Sequence, residues 1–343
     1  MLTDLLQKLT RHEDLTAEEA AAAMDLVMAG SASTAQLAAL LVGLAMKGER
    51  AEEIVGLAQT MRARAVPLPA RVPGVFDTCG TGGDRSGTVN ISSAAAIVVA
   101  ACGVPVAKHG NRSVSSRCGS ADVFEALGVD IAAGPEVVGR SLETAGIGFL
   151  FAPAFHPSMK HAAPTRRELG LRTAFNLLGP LTNPAGPLRQ LVGVPRPELT
   201  ELLARALLLL GAERVWVVHG ADGLDELSTT GYTKVSEGID GAVRTFYVHP
   251  ADYGLAKAPL EALAGGDAGV NAAAIRGVLD GARGAIRDIV LFNAAAALLI
   301  AGRAGTIRDG LTAAAEAIDD GRARATLGRM IAASPRAAEG LAR

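Results

Sequence analysis

A glycine-rich run at residues 77–84, Asp-Thr-Cys-Gly-Thr-Gly-Gly-Asp, constrains the fold of this chain more than any other stretch. It follows a short apolar segment at 75–76 and precedes a polar segment at 88–93 and an apolar run at 94–101. This order is typical of a β-strand that passes through a tight loop into an α-helix. Glycines allow positive φ angles and bring backbone N–H groups close to a ligand, and a helix N-terminus attracts anions. The run therefore predicts a polyphosphate-binding loop.

The spacing of this run excludes two common nucleotide-binding motifs. Position 85 is Arg, so the G-x-G-x-x-G pattern of dinucleotide-binding folds is absent, and no Gly-Lys-Ser/Thr follows that would form a Walker A loop. A glycine-rich turn that binds nothing is the competing interpretation, and the run alone does not decide between the two.

A second polar run, Lys-His-Gly-Asn-Arg at residues 108–112, follows the next strand-like segment at 104–107. Consecutive parallel strands place the loops at their carboxyl ends on the same edge of a sheet. We therefore expect a loop rich in backbone donors and a basic loop to face one crevice.

Composition narrows the class of protein. A length of 343 residues with 49% apolar residues favours two domains. The net charge of −2 and an aromatic content of 3% argue against a nucleic-acid surface. Three cysteines, an odd number, fit a reducing compartment. The N-terminus lacks a signal-peptide pattern, and the longest uncharged stretch, 86–107, has too short an apolar part to cross a bilayer, so we expect a cytoplasmic protein without a membrane segment.

Periodicity predicts an α/β fold with a small N-terminal helical domain and a larger α/β domain around a mainly parallel sheet. Residues 1–70 show helical spacing and a capping box at Thr16, and Pro67 and Pro69 mark a linker. The α/β domain spans 74–343, with closing helices at 288–301 and 311–331. Its predicted strands are 75–76, 104–106, 147–151, 191–194, 215–218 and 243–248.

The segment 153–187 interrupts this alternation. It combines a helix that carries Arg166 and Arg167 with a loop rich in proline and glycine at 176–184. Long irregular segments inside a domain are often functional, so we expect this one to form a wall of the cleft between the domains.

Asp225 and Glu226 follow the strand predicted at 215–218. Adjacent carboxylates at a strand end can hold Mg²⁺, which takes one or two protein carboxylates and fills its other positions with water and phosphate. A solvated acidic loop is the alternative, with Asp222 capping the turn. A second acidic pair, Asp319 and Asp320, follows a helical run and is interpreted as a helix end.

Together these motifs resemble the anthranilate phosphoribosyltransferase family over nearly the whole chain. The resemblance implies a helical domain hinged to an α/β domain, a cleft between them, and a homodimer formed through the helical domain, which takes added helices from about 155–187. It implies transfer of the phosphoribosyl group from 5-phosphoribosyl 1-diphosphate to anthranilate. The matching motifs are 80–84, 87–92, 108–112, 119–122, 176–184 and 225–231.

The resemblance also implies roles for individual residues. It assigns catalytic roles to Lys108, His109 and Arg166; His109 either accepts the amine proton or only lines the pocket. Two Mg²⁺ ions are implied on Ser92, Asp225 and Glu226. The anthranilate site comprises Gly80, His109, Asn111, His156, Arg166 and Gly179. The phosphoribosyl-diphosphate site comprises Gly80, Gly82, Gly83, Asp84, Thr88, Asn90, Ser92, Ser93, Lys108 and Ser120.

The chemistry of this reaction suits the residues. Loss of diphosphate leaves oxocarbenium character on the ribose and charge on the leaving group, so a cation and fixed donors are needed and a nucleophilic side chain is not. Two rivals remain: a nucleoside phosphorylase of the same fold and a non-catalytic phosphosugar-binding protein. The Asn111–Arg112 dipeptide argues against the first, and the pair Asp225 and Glu226 argues against both.

Overall fold

The computed structural model describes residues 2–70, 72–113 and 117–334, in which a helical bundle is followed by helices packed on a seven-stranded sheet. Residue 1 of the predicted helical domain and residues 335–343 of the predicted α/β domain lie outside the described residues. The predicted α/β class with an N-terminal helical part is confirmed.

The N-terminal bundle consists of four helices whose starts the sequence specifies. Capping boxes fix two of them: Thr16 pairs with Glu19, and Ser33 pairs with Gln36. The helices are α1 (Leu2–Thr10), α2 (Ala17–Met28), α3 (Thr34–Lys47) and α4 (Ala51–Ala63).

The central sheet has the strand order β3-β2-β1-β4-β5-β6-β7. The first five strands in chain order are parallel, and β6 and β7 are antiparallel. The strands are β1 (Phe76–Gly80), β2 (Val106–Gly110), β3 (Ile147–Phe151), β4 (Arg189–Gly193), β5 (Arg214–Gly220), β6 (Thr233–Ile239) and β7 (Ala242–Val248).

Strand β6 is missing from the predicted set because its buried positions are partly polar. Glu237 is 1% exposed and forms ion pairs with Arg214 at 2.9 Å and Arg244 at 2.6 Å. Ser236 is also buried and donates a hydrogen bond to Thr200. These polar contacts satisfy a strand that carries little of the apolar alternation by which strands are recognised.

The remaining helices pack on the sheet, on one another or on the N-terminal bundle. None of the described helices has both the length and the apolar character needed to cross a bilayer. One-turn 3₁₀ helices occur at Pro157–His161, Gly179–Leu181, Pro250–Tyr253 and Leu260–Leu263. The α-helices are α5 (Ile91–Ala101), α6 (Ser120–Leu127), α7 (Pro135–Ala145), α8 (Ala152–Phe155), α9 (Ala163–Leu169), α10 (Phe175–Leu178), α11 (Leu199–Leu209), α12 (Ala268–Leu279), α13 (Ala285–Ile300), α14 (Ile307–Asp319) and α15 (Arg322–Ala333).

The predicted helix at 311–331 is wrong as a single element. Gly321 adopts a φ of +82° between α14 and α15, and this left-handed residue ends one helix before the next begins. The interpretation of Asp319 and Asp320 as a helix end is confirmed.

Successive residues of the central strands pack into two different cores. On β4, Leu191 faces the core formed with α5 and α13, whereas Val192 faces the core formed with the N-terminal bundle. The second core also contains Ala162, Phe175 and Leu178, so the segment that interrupts the α/β alternation packs with the bundle.

The strand order places a topological switch point between β1 and β4. From β1 the chain builds the sheet through β2 to β3 on one side, and it then returns to add β4 and β5 on the other. Gly80 and Gly193 pair at the carboxyl ends of β1 and β4. In open α/β sheets the crevice at such a point is the usual ligand site.

The bundle offers a test of its own packing at Glu53, which is fully buried. Its carboxylate accepts hydrogen bonds from the backbone N–H groups of Leu15 and Arg50, both at 2.8 Å, and from Lys47 Nζ at 3.0 Å. We expect Glu53→Ala to lower the free energy of unfolding by about 2–4 kcal/mol, because it removes the acceptor of two backbone N–H groups and one partner of Lys47, which keeps Asp14 at 2.7 Å. Urea denaturation measures this. Glu52→Ala, at an exposed neighbour, should cost under about 1 kcal/mol, and equal losses would contradict the account.

Candidate active site

The glycine run forms a tight loop at the end of β1. Gly82 and Gly83 adopt φ angles of +66° and +84°, which non-glycine residues rarely adopt. A Cβ atom on Gly80 would lie 2.5 Å from Asp225 Oδ2, so a side chain there would displace the acidic loop. The Gly82 N–H donates to Asp225 Oδ2 at 3.0 Å. This bond joins the loops that follow β1 and β5.

The acidic loop is anchored from behind by α13. The buried Asn293 amide accepts the Leu227 N–H and donates to the Leu227 carbonyl, both at 2.9 Å. Within the loop, Asp222 accepts hydrogen bonds from Leu224 N and Ser228 Oγ, so Asp222 caps the turn. The backbone beside Glu226 is thereby fixed on two sides.

Negative charge is concentrated at this point. Glu226 Oε1 accepts the Ser92 N–H at 3.0 Å in the first turn of α5. Burial raises the pKa of Asp225, and repulsion from Asp84 raises it further; burial and then Asp225 raise the pKa of Glu226. The ammonium of Lys108 is the positive group that opposes the rise in the pKa of Glu226. The carboxylates are therefore short of positive charge.

The donor set fits a divalent cation that shares its coordination with a ligand. Carboxylate oxygens suit Mg²⁺, which keeps several positions for water and phosphate. The described part of the chain contains no cluster of three or more His, Cys, Asp or Glu side chains arranged around one metal position. The described side chains therefore do not surround a metal ion completely. Such an open arrangement suits a metal that also binds phosphate oxygens.

The second polar run differs from the prediction, because Lys108, His109 and Gly110 are the last residues of β2 and not a loop. Lys108 and His109 are 2% and 3% exposed. Beneath them, the buried Asp77 accepts the His109 N–H at 3.2 Å and Asn183 Nδ2 at 2.8 Å. Burial raises the pKa of Asp77 to about 6, an effect that Lys108 opposes. These contacts tie the ends of β1 and β2 to the loop at 179–183.

Two histidines and a backbone carbonyl come together beside this strand end. His109 Nδ1 lies 3.1 Å from the Gly179 carbonyl, and the rings of His109 and His156 are 5.3 Å apart. Since a carbonyl only accepts, Nδ1 carries the proton and Nε2 is unprotonated. Burial lowers the pKa of His109 to about 3 and that of His156 to about 4. Both rings are neutral at physiological pH.

Other residues expected at the site line the start of α5 and α6. Asn90 has both amide atoms engaged, with Oδ1 accepting from Asn271 at 2.9 Å and Nδ2 donating to the Cys118 carbonyl at 3.2 Å. Ser120 Oγ donates to the Asn111 carbonyl at 3.4 Å and lies against Gly110.

A short hydroxyl network follows the glycine loop. Ser86 Oγ donates to Asp84 at 2.6 Å and lies 3.2 Å from Thr88 Oγ1. Ser93 Oγ is buried and has no hydrogen-bond partner among the residues described. These three hydroxyls and the Asp84 carboxylate lie along the entry to α5.

Two arginines behave differently from one another. Arg166 stacks over the Phe175 ring at 5.0 Å, and burial lowers its pKa. Within the described ranges its side chain forms no hydrogen bond or ion pair with the other expected site residues. Arg112 is bound by Asp122 at 2.7 Å and Glu125 at 2.8 Å, so this cation of the second run is already neutralised.

The sequence alone assigned no role in the site to several residues that hold it in place. They are polar side chains within apolar runs or at the ends of helices and strands, and such positions give only a weak sequence signal. Asn293, for example, follows Ile-Val-Leu-Phe at 289–292. Because a buried amide must find partners, such a position in an apolar helix can be recognised. The residues are Asp77, Arg172, Asn183, Asn271 and Asn293.

Two family models cover most of the chain. The model described as "Glycosyl transferase family, helical bundle domain" matches residues 3–65, and that described as "Glycosyl transferase family, a/b domain" matches residues 72–324. The chain is 55% identical to the anthranilate phosphoribosyltransferase of Moorella thermoacetica over 97% of its own length and 98% of the relative's. The chain belongs to the anthranilate phosphoribosyltransferase family.

Solved structures of anthranilate phosphoribosyltransferases share the fold. The enzyme of Thermus thermophilus is 47% identical and superposes with a TM-score of 0.90, covering 96% of this chain and 98% of that one. The Saccharomyces cerevisiae enzyme in complex with PRPP and Mg is 27% identical, with a TM-score of 0.89 and 97% coverage of both chains.

The excess of negative charge generates a test with two glutamates. In alkaline buffer containing EDTA, we expect Glu226→Gln to raise Tm by roughly 2–4 °C. Folding raises the pKa of Glu226, so its ionisation lowers the free energy of unfolding as the pH rises through that pKa. The amide of Gln does not ionise and avoids this loss. Mg²⁺ with PRPP should then stabilise the wild type more than the variant.

The matched control is Glu237→Gln on β6. Glu237 is more deeply buried than Glu226 and is held by Arg214 and Arg244. Its neutralisation leaves two guanidinium groups uncompensated, so Tm should fall. Shifts of the same sign in both variants, measured by calorimetry, would contradict the charge assignment.

Proposed function

We propose that this protein transfers the phosphoribosyl group of 5-phosphoribosyl 1-diphosphate to the amine of anthranilate, giving N-(5-phosphoribosyl)anthranilate and diphosphate, a step of tryptophan biosynthesis. The observation that carries the proposal is the hydrogen bond between Gly82 and Asp225, which brings a phosphate-type glycine loop against an acidic loop at the switch point. Membership of the family supports the choice of substrates.

The proposed diphosphate site consists of the glycine loop and the residues around the start of α5 and β2. The backbone N–H group of Gly83 and the hydroxyls of Thr88 and Ser92 supply donors, and Lys108 supplies positive charge. Fixed donors of this kind stabilise a departing diphosphate because they need no reorganisation during the reaction. The full proposed set is Gly80, Gly82, Gly83, Asp84, Thr88, Asn90, Ser92, Ser93, Lys108 and Ser120.

We propose Mg²⁺ as the cofactor, with two ions held by Asp225, Glu226 and Ser92. The support is the uncompensated charge of the carboxylates and the relative solved with PRPP and Mg. When bound, Mg²⁺ supplies positive charge to the diphosphate as that group accumulates negative charge. Isothermal titration of the protein with Mg²⁺ and PRPP measures the stoichiometry; a single ion per chain would reject the second.

The proposed anthranilate pocket lies on the other side of β2. Arg166 would bind the anthranilate carboxylate, since its guanidinium has a ring beneath it and no carboxylate partner among the described residues. His109, Asn111, His156 and Gly179, with Gly80, would complete the pocket.

We propose that His109 orients the aromatic amine and does not accept its proton. With a pKa lowered to about 3, its ring is a weak base at neutral pH, and the bond from Nδ1 to Gly179 fixes the ring. The amine becomes acidic as its bond to the ribose forms, so a strong base is not required. Lys108 contributes charge, and positioning of the reactants supplies the rest.

The chain organisation is also proposed. The helical domain comprises residues 1–70 with helices from about 155–187, and the α/β domain comprises 74–343; the shared core of the bundle with Phe175 supports this division. A homodimer through the helical domain is supported by Met46 at the end of α3, whose side chain is 74% exposed. Monomers in analytical ultracentrifugation would reject the dimer. Three free, buried cysteines support a cytoplasmic location.

The direct test of function is product formation with two substrate pairs. The purified protein should convert PRPP and anthranilate in the presence of Mg²⁺, lose this activity in EDTA, and show no turnover of thymidine with phosphate. Turnover of only the second pair would favour a nucleoside phosphorylase. Binding of PRPP without turnover of either pair would favour a phosphosugar-binding protein.

Arg166→Ala tests the assignment of the anthranilate pocket. Loss of a charge-assisted hydrogen bond worth about 1.5–3 kcal/mol should raise the KM for anthranilate about ten- to a hundredfold and leave the KM for PRPP nearly unchanged. Steady-state kinetics measure both constants. Arg167→Ala, which removes an exposed guanidinium from the same helix, is the control. Equal effects of Arg166→Ala on the two KM values would reject the assignment.

A further inference from the structure

Arg172 contacts the glycine loop from outside the α/β domain. Its Nη1 donates to the Gly82 carbonyl at 2.9 Å. Arg172 lies between α9 and α10, in the segment whose apolar residues Ala162, Ala174 and Phe175 pack in the core of the N-terminal bundle. A residue anchored to the bundle therefore holds the loop that follows β1.

The loop is held from both sides at a single residue. The Gly82 N–H is bound by Asp225, and the Gly82 carbonyl is bound by Arg172. The guanidinium also lies directly against Gly83, because a Cβ atom built there would overlap Arg172 Nη1 at 1.7 Å. Two opposite charges thus fix the peptide groups before and after Gly82, a residue with little conformational preference of its own.

The surroundings of Arg172 are suited to an anion. Burial lowers its pKa, Arg196 and Arg85 lower it further, and Asp225 raises it, so two of the three charged groups that act on this guanidinium are positive. Within the described ranges, only Nη1 of this guanidinium has a hydrogen-bond partner. A guanidinium has five N–H donors, so donors remain that can turn toward a diphosphate.

We propose that Arg172 is a positioning residue for the sugar-diphosphate substrate: it holds the Gly82 carbonyl so that the Gly83 N–H, on the opposite side of the same peptide group, faces the diphosphate. The proposal rests on the proposed function above. Without the contact, the loop has to be ordered when the substrate binds, and that ordering lowers the affinity. Of the glycine run, the proposed anthranilate pocket includes only Gly80, which belongs to β1, so anthranilate binding should be nearly unaffected.

The kinetic test is Arg172→Ala in the full chain. We expect the KM for PRPP to rise about tenfold or more, as for loss of a charge-assisted hydrogen bond, with the KM for anthranilate within about twofold of the wild type. Arg172→Lys keeps the charge and one donor and should recover part of the loss. Arg167→Ala, which removes an exposed guanidinium nearby, should leave both constants unchanged. A PRPP KM for Arg172→Ala equal to that of the wild type would overturn the proposal.

The contact itself is tested by combining Arg172→Ala with Gly83→Ala. In the wild type the added methyl group must displace the guanidinium, whereas in the Arg172→Ala background only the backbone strain at a φ of +84° remains. Gly83→Ala should therefore raise the KM for PRPP by a smaller factor in the Arg172→Ala background. Equal factors in both backgrounds would show that the two residues do not interact.

Hydrogen exchange separates failure of this proposal from failure of the proposed function. In the protein without substrates, Arg172→Ala should accelerate exchange of the amides at 81–85 and leave α5 and β1 unchanged. Faster exchange in a protein that turns over neither substrate pair would reject the enzymatic function and retain the loop contact. Unchanged exchange in an active enzyme would reject the role of Arg172 alone.

Discussion

The hydrogen bond from Gly82 N to Asp225 is the interaction on which the rest of the site depends, because it joins loops separated by 143 positions in the chain. Its two partners lie in the loops that follow β1 and β5, the strands on either side of β4 in the sheet. The contact is possible because Gly80 has no side chain where the Asp225 carboxylate lies. The glycine loop and the acidic pair are each weak motifs alone. Together they form one site, with hydrogen-bond donors on one side and carboxylates on the other.

That arrangement costs stability, and the scaffold around it compensates. Asp225 and Glu226 are kept close together without an arginine partner, in contrast to Glu237, which two arginines neutralise. The acidic loop is held against its own repulsion by Asn293, and the end of β2 is held by Asp77. Functional sites commonly retain such unfavourable charge because the ligand or metal removes it.

The helix starts and the sheet edge could be predicted from the sequence, because residues close together in the chain determine them. The capping boxes at Thr16 and Ser33 define helix starts within a few residues of chain, and apolar strands followed by polar residues define the sheet edge. Strand β6 could not be recognised, because its buried Glu237 is satisfied by arginines from two other strands. The burial of Lys108 within β2 likewise depends on Asp77, a partner that only the folded chain brings close.

Contacts between residues far apart in the chain could not be predicted, because local sequence patterns carry no information about them. Arg172 and Gly82 are 90 positions apart, and neither residue type in its own segment indicates the other. The anchoring amides of Asn183 and Asn293 have the same character, since each binds backbone or side-chain groups from a distant element. Sequence reasoning therefore identified the groups that meet a ligand better than the groups that hold them in place.

We expect one crevice at the switch point to bind a metal and a diphosphate between the glycine loop and the acidic pair. Crystals grown with Mn²⁺ in place of Mg²⁺ and with PRPP test it most directly, because anomalous scattering locates the metal. We expect Mn²⁺ to be coordinated by a carboxylate of Asp225 or Glu226, with the diphosphate against the backbone N–H of Gly83. A metal and diphosphate bound together elsewhere, with neither loop in contact, would contradict it.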